Sequence, residues 1–273
     1  MAALVVAVGL KYHYSRAPSD RLAWILSPTA GVVEYMSGMG FEKEHGTGFV
    51  SRGNRIIIAP SCAGVNFLII AFSMAAFSGL HRFRSIGAQA FWLVISAAGA
   101  YFLTIAVNAV RIVASIYMAT ADIYSQWLTP GRLHRIEGVF IYFFALCLFS
   151  LTLEKTFRLC TPGPTQKRKK WIQQDSDSTG KFHPAVIPLF WYLLVSLGIP
   201  LLNRAYRNNG LQFVEHCLVT LAVCMVVFLS VFLIQLYCRR RWRRIAFKST
   251  SAAVAPSTVK DRFLNLPPKR EAS

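Results

Sequence analysis

The sequence predicts an all-α polytopic membrane protein, a bundle of about six transmembrane helices with a small extracytoplasmic hairpin or re-entrant segment just before Cys62. Three observations predict it. Hydrophobic residues fill 54% of 273 positions and charged residues only 15%, against about 25% charged in an ordinary soluble domain. Apolar runs close to the ~20 residues needed to cross a hydrocarbon core recur along the chain. Lys and Arg number 30 against 12 Asp and Glu, and they gather between the apolar runs. In a soluble chain such an excess would suggest nucleic acid; beside membrane spans it follows the positive-inside bias, and no nucleic-acid partner is expected.

Residues 1–10 are apolar but short, a shallow or truncated sixth span at most; with no basic start and no small-residue cleavage site, a cleaved signal peptide is not expected. Residues 22–39 are partly apolar, carry Pro28 and Glu34, and read as an interfacial or re-entrant helix. Two extended runs, 41–50 and 55–58, flank Ser51-Arg52-Gly53-Asn54 and suggest a hairpin leading to Cys62. Five clear spans follow, from 56 or 60 to 80, from 86 to 107 and beyond, and over 136–153, 184–202 and 211–237.

Orientation comes from charge. With the C-terminal tail inside, the segment around Arg82 and Arg84, the linker 155–183 and the tail from Arg239 hold 19 of the 30 basic residues. Those segments are therefore expected in the cytoplasm, and the bilayer is a partner throughout. The linker contains Pro162-Gly163-Pro164 and Lys167-Arg168-Lys169-Lys170 and reads as a flexible loop, while the basic tail 239–273 reads as disordered.

Six cysteines are present, but their positions do not form a disulfide framework. Only Cys62 opens an apolar run directly behind a helix-start signal, Pro60. A proline suits the first turn of a helix, which would place Cys62 where free N–H groups and the helix dipole favour an anion. The plainer alternative is a packed core thiol. Asn108 and Arg111 share one helix face at the far end of the next span. Ionisable groups at that depth usually face protein or a water-filled cavity, although Arg111 snorkelling to headgroups is the competing reading. His134 stands at the mouth of the following span, with Glu137 one turn below it. Helix parity brings Cys62, Arg111 and His134 to one membrane face, as a nucleophile, an anion stabiliser and a base require. His216 beside Cys217 makes a poorer pair, because adjacent helical residues point about 100° apart.

Pro60-Ser61-Cys62-Ala63-Gly64, Asn108-Ala109-Val110-Arg111-Ile112 and His134 followed by Gly138 resemble, in order and spacing, the three blocks of the exosortase/archaeosortase family. The chain is similar in particular to its exosortase K subgroup over residues 21–153, with Ala63 where many relatives carry Ser. The resemblance implies a membrane-embedded cysteine transpeptidase of the bacterial cytoplasmic (inner) membrane, with its site on the extracytoplasmic face. It implies Cys62 as nucleophile, His134 as acid and base and Arg111 as oxyanion stabiliser; Asn108 would orient Arg111. A role for Glu137 in orienting His134 follows from the i+3 spacing alone. The implied partners are exported proteins ending in a short motif, one transmembrane helix and a basic end, together with an unknown amine acceptor. No metal or organic cofactor is expected.

On this reading residues 1–153 form the catalytic membrane core, 154–183 the linker, 184–238 a C-terminal helix pair and 239–273 the tail. Readings of other classes are a small transporter or channel with Arg111 and His134 lining an anion path, and a non-catalytic scaffold for partner helices.

Overall fold

A computed structural model describes residues 7, 9–11, 14, 19–53, 56–121, 129–160, 186–202, 204, 207 and 210–254. The shallow span expected over 1–10, the basic run of the linker and the end of the tail therefore lie wholly or largely outside the described residues. Two compact units are present, Met1–Phe228 and Leu229–Ser273.

The first element, α1 (Ala23–Ser37), is a helix of 15 residues, about 22 Å long and short of the ~30 Å hydrocarbon thickness. It buries Ile25, Leu26, Thr29, Ala30 and Val33 as one stripe, the spacing of an amphipathic helix. Three antiparallel strands follow: β1 (Glu42–Glu44), β2 (Gly48–Ser51) and β3 (Ile56–Ile58), in that spatial order. The expected single hairpin is thus two hairpins. The run 41–50 does not stay extended, because Gly46, at φ 78°, turns the chain and lets Lys43 pair with Phe49. Asp20 pairs with Lys43 (3.7 Å) and with His45 (3.2 Å), tying the first hairpin to the start of α1.

Longer helical stretches make up most of the rest: α2 (Val65–Leu80), α3 (Ile86–Thr120) and α4 (Pro130–Cys160). After them come α5, the apolar helix Val186–Leu202, and α6 (Gly210–Val254). Among the described residues, four stretches are long and apolar enough to cross a membrane: Pro60–Leu80, Ile86–Ala119, Pro130–Phe157 and Gly210–Tyr237. These agree with a multi-pass all-α fold. The span expected over 184–202 is shorter, and a π-helical turn at Leu194–Gly198 interrupts it. Basic residues of the tail continue α6 as far as Val254 rather than ending it near 238, since Arg, Lys and Ala are good helix formers.

α2 lies innermost. Its span is 72% buried within the protein, against 22% for that of α3, so α2 meets protein on nearly all sides and α3 leaves a broad apolar face for lipid. Trp92 of α3 donates its indole N–H to the Ala75 carbonyl (3.1 Å). Tyr101 of α3 stacks on Trp24 of α1 and donates its hydroxyl to the Trp24 carbonyl (2.7 Å).

The entry into α2 differs from the sequence expectation. Pro60–Cys62 form a separate 3-10 turn, and Gly64 at φ 68° breaks it from the α-helix that starts at Val65. Cys62 is therefore not in the first turn of α2, and the turn spends its own amides locally: Cys62 N–H donates to the Ala59 carbonyl and Ala63 N–H to the Pro60 carbonyl. A side chain at position 64 would meet both a left-handed backbone and, at 3.2 Å, the Asn108 amide. Gly64→Ala is expected to cost about 1–2 kcal/mol from the backbone alone, read as a lowered thermal midpoint of the protein in detergent.

Candidate active site

Three elements converge at one end of the bundle: the 3-10 turn with Cys62, the C-terminal half of α3 and the first turns of α4. On α3 the polar residues Thr104, Asn108, Arg111 and Ser115 recur at four- and three-residue steps, which puts them on one face. On α4, His134, Gly138 and Tyr142 recur at four-residue steps and do the same. The two faces meet, and the hydrogen bonds between them form two branches from Arg111.

In the first branch, Arg111 Nη1 donates to the Tyr142 hydroxyl (3.1 Å). That hydroxyl donates onward to Asn108 Oδ1 (2.7 Å), and Asn108 Nδ2 donates to the Cys62 carbonyl (2.5 Å). Asn108 is fully buried. With its oxygen held by Tyr142, its nitrogen is turned to the Cys62 backbone. The Tyr142 ring also stacks on Phe67 of α2 with centroids 4.8 Å apart, and the guanidinium lies 5.3 Å from its centroid.

In the second branch, Arg111 Nη2 donates to His134 Nε2 (2.5 Å). Ser115 donates its single hydroxyl hydrogen to Glu137 Oε2 (2.7 Å), so its oxygen accepts from His134 Nδ1 at 3.0 Å. The imidazole is thereby placed with its proton on Nδ1 and its lone pair on Nε2. Glu137 acts on His134 through Ser115 rather than directly, because its carboxylate is buried at 5% exposure while the imidazole is exposed.

Arg111 is only 8% exposed, and its Nε has no protein acceptor. It crosses directly over Gly138, where a Cβ would stand 3.0 Å from that Nε. A glycine at this step of α4 is what lets the guanidinium stem pass.

The branches open onto a cavity of about 420 Å³. Arg111, His134, Arg135, Tyr142 and the Cys62 neighbours Ser61 and Gly64 line it. Its far wall comes from the π-helical turn of α5, with Val195 and Ser196, and from His216 on α6. Lys11 and Tyr14 also line it, and Lys11 donates to Asn66 Oδ1 (2.6 Å). Burial pushes the Tyr14 phenol upward; the Cys62 sulfur adds to this and Arg111 opposes it, so Tyr14 remains a neutral O–H at physiological pH. Burial lowers the Lys11 ammonium. Among the described residues, no group of three His, Cys, Asp or Glu is arranged to hold a metal.

Of the sequence-predicted residues, Asn108, Arg111, His134 and Glu137 belong to one hydrogen-bonded network, with Cys62 joined to it through its backbone carbonyl. Asn108 and Arg111, on one helix face, are linked through the Tyr142 hydroxyl. The half-buried Cys62 thiol is not bonded to His134; Arg111 occupies that nitrogen. Among the other cysteines, Cys147 and Cys224 are buried and Cys217 is half-buried. Sequence reasoning passed over Tyr142 and Ser115. Position alone gives a partial signal, since Ser115 lies one turn beyond Arg111 and Tyr142 two turns beyond His134 on the same face.

Comparison with known proteins bears on this end of the molecule. No curated protein and no solved structure matches the chain. The family model for transmembrane exosortases matches residues 1–151, a segment that contains every residue of the Arg111 network. The chain is therefore a member of the transmembrane exosortase family.

Proposed function

We propose that the protein is a cysteine transpeptidase that cleaves the C-terminal sorting signal of exported proteins at the extracytoplasmic face of a bacterial inner membrane. The observation that carries this reading is the joining of Arg111, His134 and the Cys62 backbone in one network beside a cavity of about 420 Å³. Family membership supplies the reaction class, and the network supplies roles for particular atoms.

As the sulfur approaches a substrate carbonyl in the cavity, negative charge develops on the carbonyl oxygen and makes it a stronger acceptor for Arg111 Nη2 than the neutral imidazole of His134. As Arg111 turns to that oxygen, His134 Nε2 is freed to take the Cys62 proton. The sulfur then bonds to the carbonyl carbon, and the electron pair of the C=O bond moves to the oxygen held by Arg111. Collapse breaks the C–N bond, and the departing amine takes the proton from His134 Nε2, leaving a thioester on Cys62. An acceptor amine or water attacks the thioester with its proton passing to His134, and the sulfur leaves as the thiol. Throughout, Ser115 and Glu137 keep Nδ1 occupied, so that Nε2 is the nitrogen that exchanges protons.

The test is processing of an exported reporter that ends in a short motif, one transmembrane helix and a basic end, taken from an exported protein of the same cell. Cys62→Ala is expected to abolish cleavage. Losing a general base costs about 10²–10⁴-fold and losing an oxyanion donor about 10²–10³-fold, so His134→Ala and Arg111→Ala should fall by those factors at unchanged membrane insertion. Normal cleavage by Cys62→Ala would sink the proposal. Indifference to Cys62 combined with dependence on Arg111 would favour an anion pathway instead.

Gly138→Ala offers a steric check. Its new Cβ presses on the Arg111 stem, and a displacement near 1 Å in a catalytic group costs about 10²-fold. The same reporter should show that loss with the protein still present in the membrane at parental amounts.

A further inference from the structure

Tyr142 belongs to none of the three sequence blocks, yet its hydroxyl joins two residues of the second, Asn108 and Arg111. That hydroxyl hydrogen-bonds to both the Arg111 guanidinium (3.1 Å) and the Asn108 amide (2.7 Å). A phenol has one proton to give and lone pairs to accept with. Here the proton goes to Asn108 Oδ1, and the lone pair takes Arg111 Nη1.

That division has a consequence for Cys62. A carboxamide can sit in either of two flipped orientations, and its hydrogen-bond partners decide between them. The Tyr142 proton can satisfy only the oxygen end of Asn108, so the nitrogen end is committed to the Cys62 carbonyl. Without that proton the buried Asn108 could present its oxygen to the Cys62 carbonyl, two acceptors facing each other, and the 3-10 turn would lose its tie to α3. The same hydroxyl also anchors one arm of the guanidinium, leaving Nη2 as the arm that moves between His134 and a substrate oxygen.

We propose that Tyr142 is a positioning residue for the transpeptidase reaction: one hydroxyl holds the nucleophile's turn, through Asn108, in register with the anion-stabilising arm of Arg111. The proposal rests on the transpeptidase reading of the site. Its ring is held independently, stacked on Phe67 at 4.8 Å, so Tyr142→Phe removes an oxygen and leaves the packing.

The experiment measures pulse-chase cleavage of the sorting-signal reporter in membranes carrying the full chain, for Cys62→Ala, Tyr142→Phe, Asn108→Ala and the Tyr142→Phe/Asn108→Ala pair. Tyr142→Phe is expected to slow the maximal rate 10- to 100-fold with less than a threefold change in the reporter level giving half-maximal cleavage. A group that merely bound substrate would move the second quantity. The double variant is expected to lose much less than the product of the two single losses, because both act through one linkage. Cleavage by Tyr142→Phe within threefold of the parent would overturn the proposal, as would full multiplication of the single losses, provided Cys62→Ala is inactive. Cleavage that survives Cys62→Ala would remove the transpeptidase reading itself and this inference with it. Should Tyr142→Phe not reach parental amounts, Asn108→Asp serves in its place. It keeps the acceptor for Tyr142 and lacks the donor to Cys62, and a rate equal to the parent's would likewise overturn the proposal.

Discussion

The burial of one guanidinium between two membrane-spanning helices is the constraint on which the rest of the site depends. Ionisable side chains within spans are costly and are met by protein partners; Arg111 is 8% exposed, and among the described residues no carboxylate is bonded to it. Its charge is met instead by neutral acceptors on α4, a phenol and an imidazole, with an aromatic ring nearby. Each acceptor must itself be satisfied. Tyr142 is completed by Asn108, and Asn108 by the Cys62 carbonyl; His134 is completed by Ser115, and Ser115 by Glu137. Accommodating one cation therefore organises seven side and main chains on three elements.

The fold makes that convergence possible by keeping the innermost helix free of the chemistry. α2 is predominantly apolar and supplies packing, including the Phe67 ring under Tyr142. The reactive turn is set off from it by Gly64 and held from the side by α3. The geometry of the network thus rests on the α3–α4 contact, where backbone hydrogen bonding within each helix fixes side-chain spacing, and the Cys62 turn is tied to it through Asn108.

Much of this was legible in the sequence, for identifiable reasons. Spans announce themselves because a bilayer sets a minimum apolar length, and α3, α4 and α6 lie where that length requires. Arg111 and His134 were legible because polar groups are costly at span depth. Tyr142 was not: a tyrosine in an apolar helix fits packing as well as it fits a hydrogen-bond hub, and only the neighbouring helix decides between them. Ser115 is obscured in the same way, since serines in spans often bond to their own backbone. The position of Cys62 was misjudged because Pro60 is as suited to a 3-10 turn as to an α-helix, and the left-handed Gly64 that separates the two leaves no mark in an apolar pattern. The second hairpin went unseen because the Gly46 turn sits inside a run that otherwise alternates as a strand.

With both imidazole nitrogens engaged, the proposed mechanism has His134 free to take the Cys62 proton only once Arg111 lets go. Oxidants attack cysteine in proportion to its thiolate character and exposure, and sulfinic and sulfonic products are not repaired outside specialised systems. On the proposed extracytoplasmic face, where thiols are not kept reduced, the Arg111–His134 hydrogen bond would then act as a guard on the half-buried Cys62 sulfur.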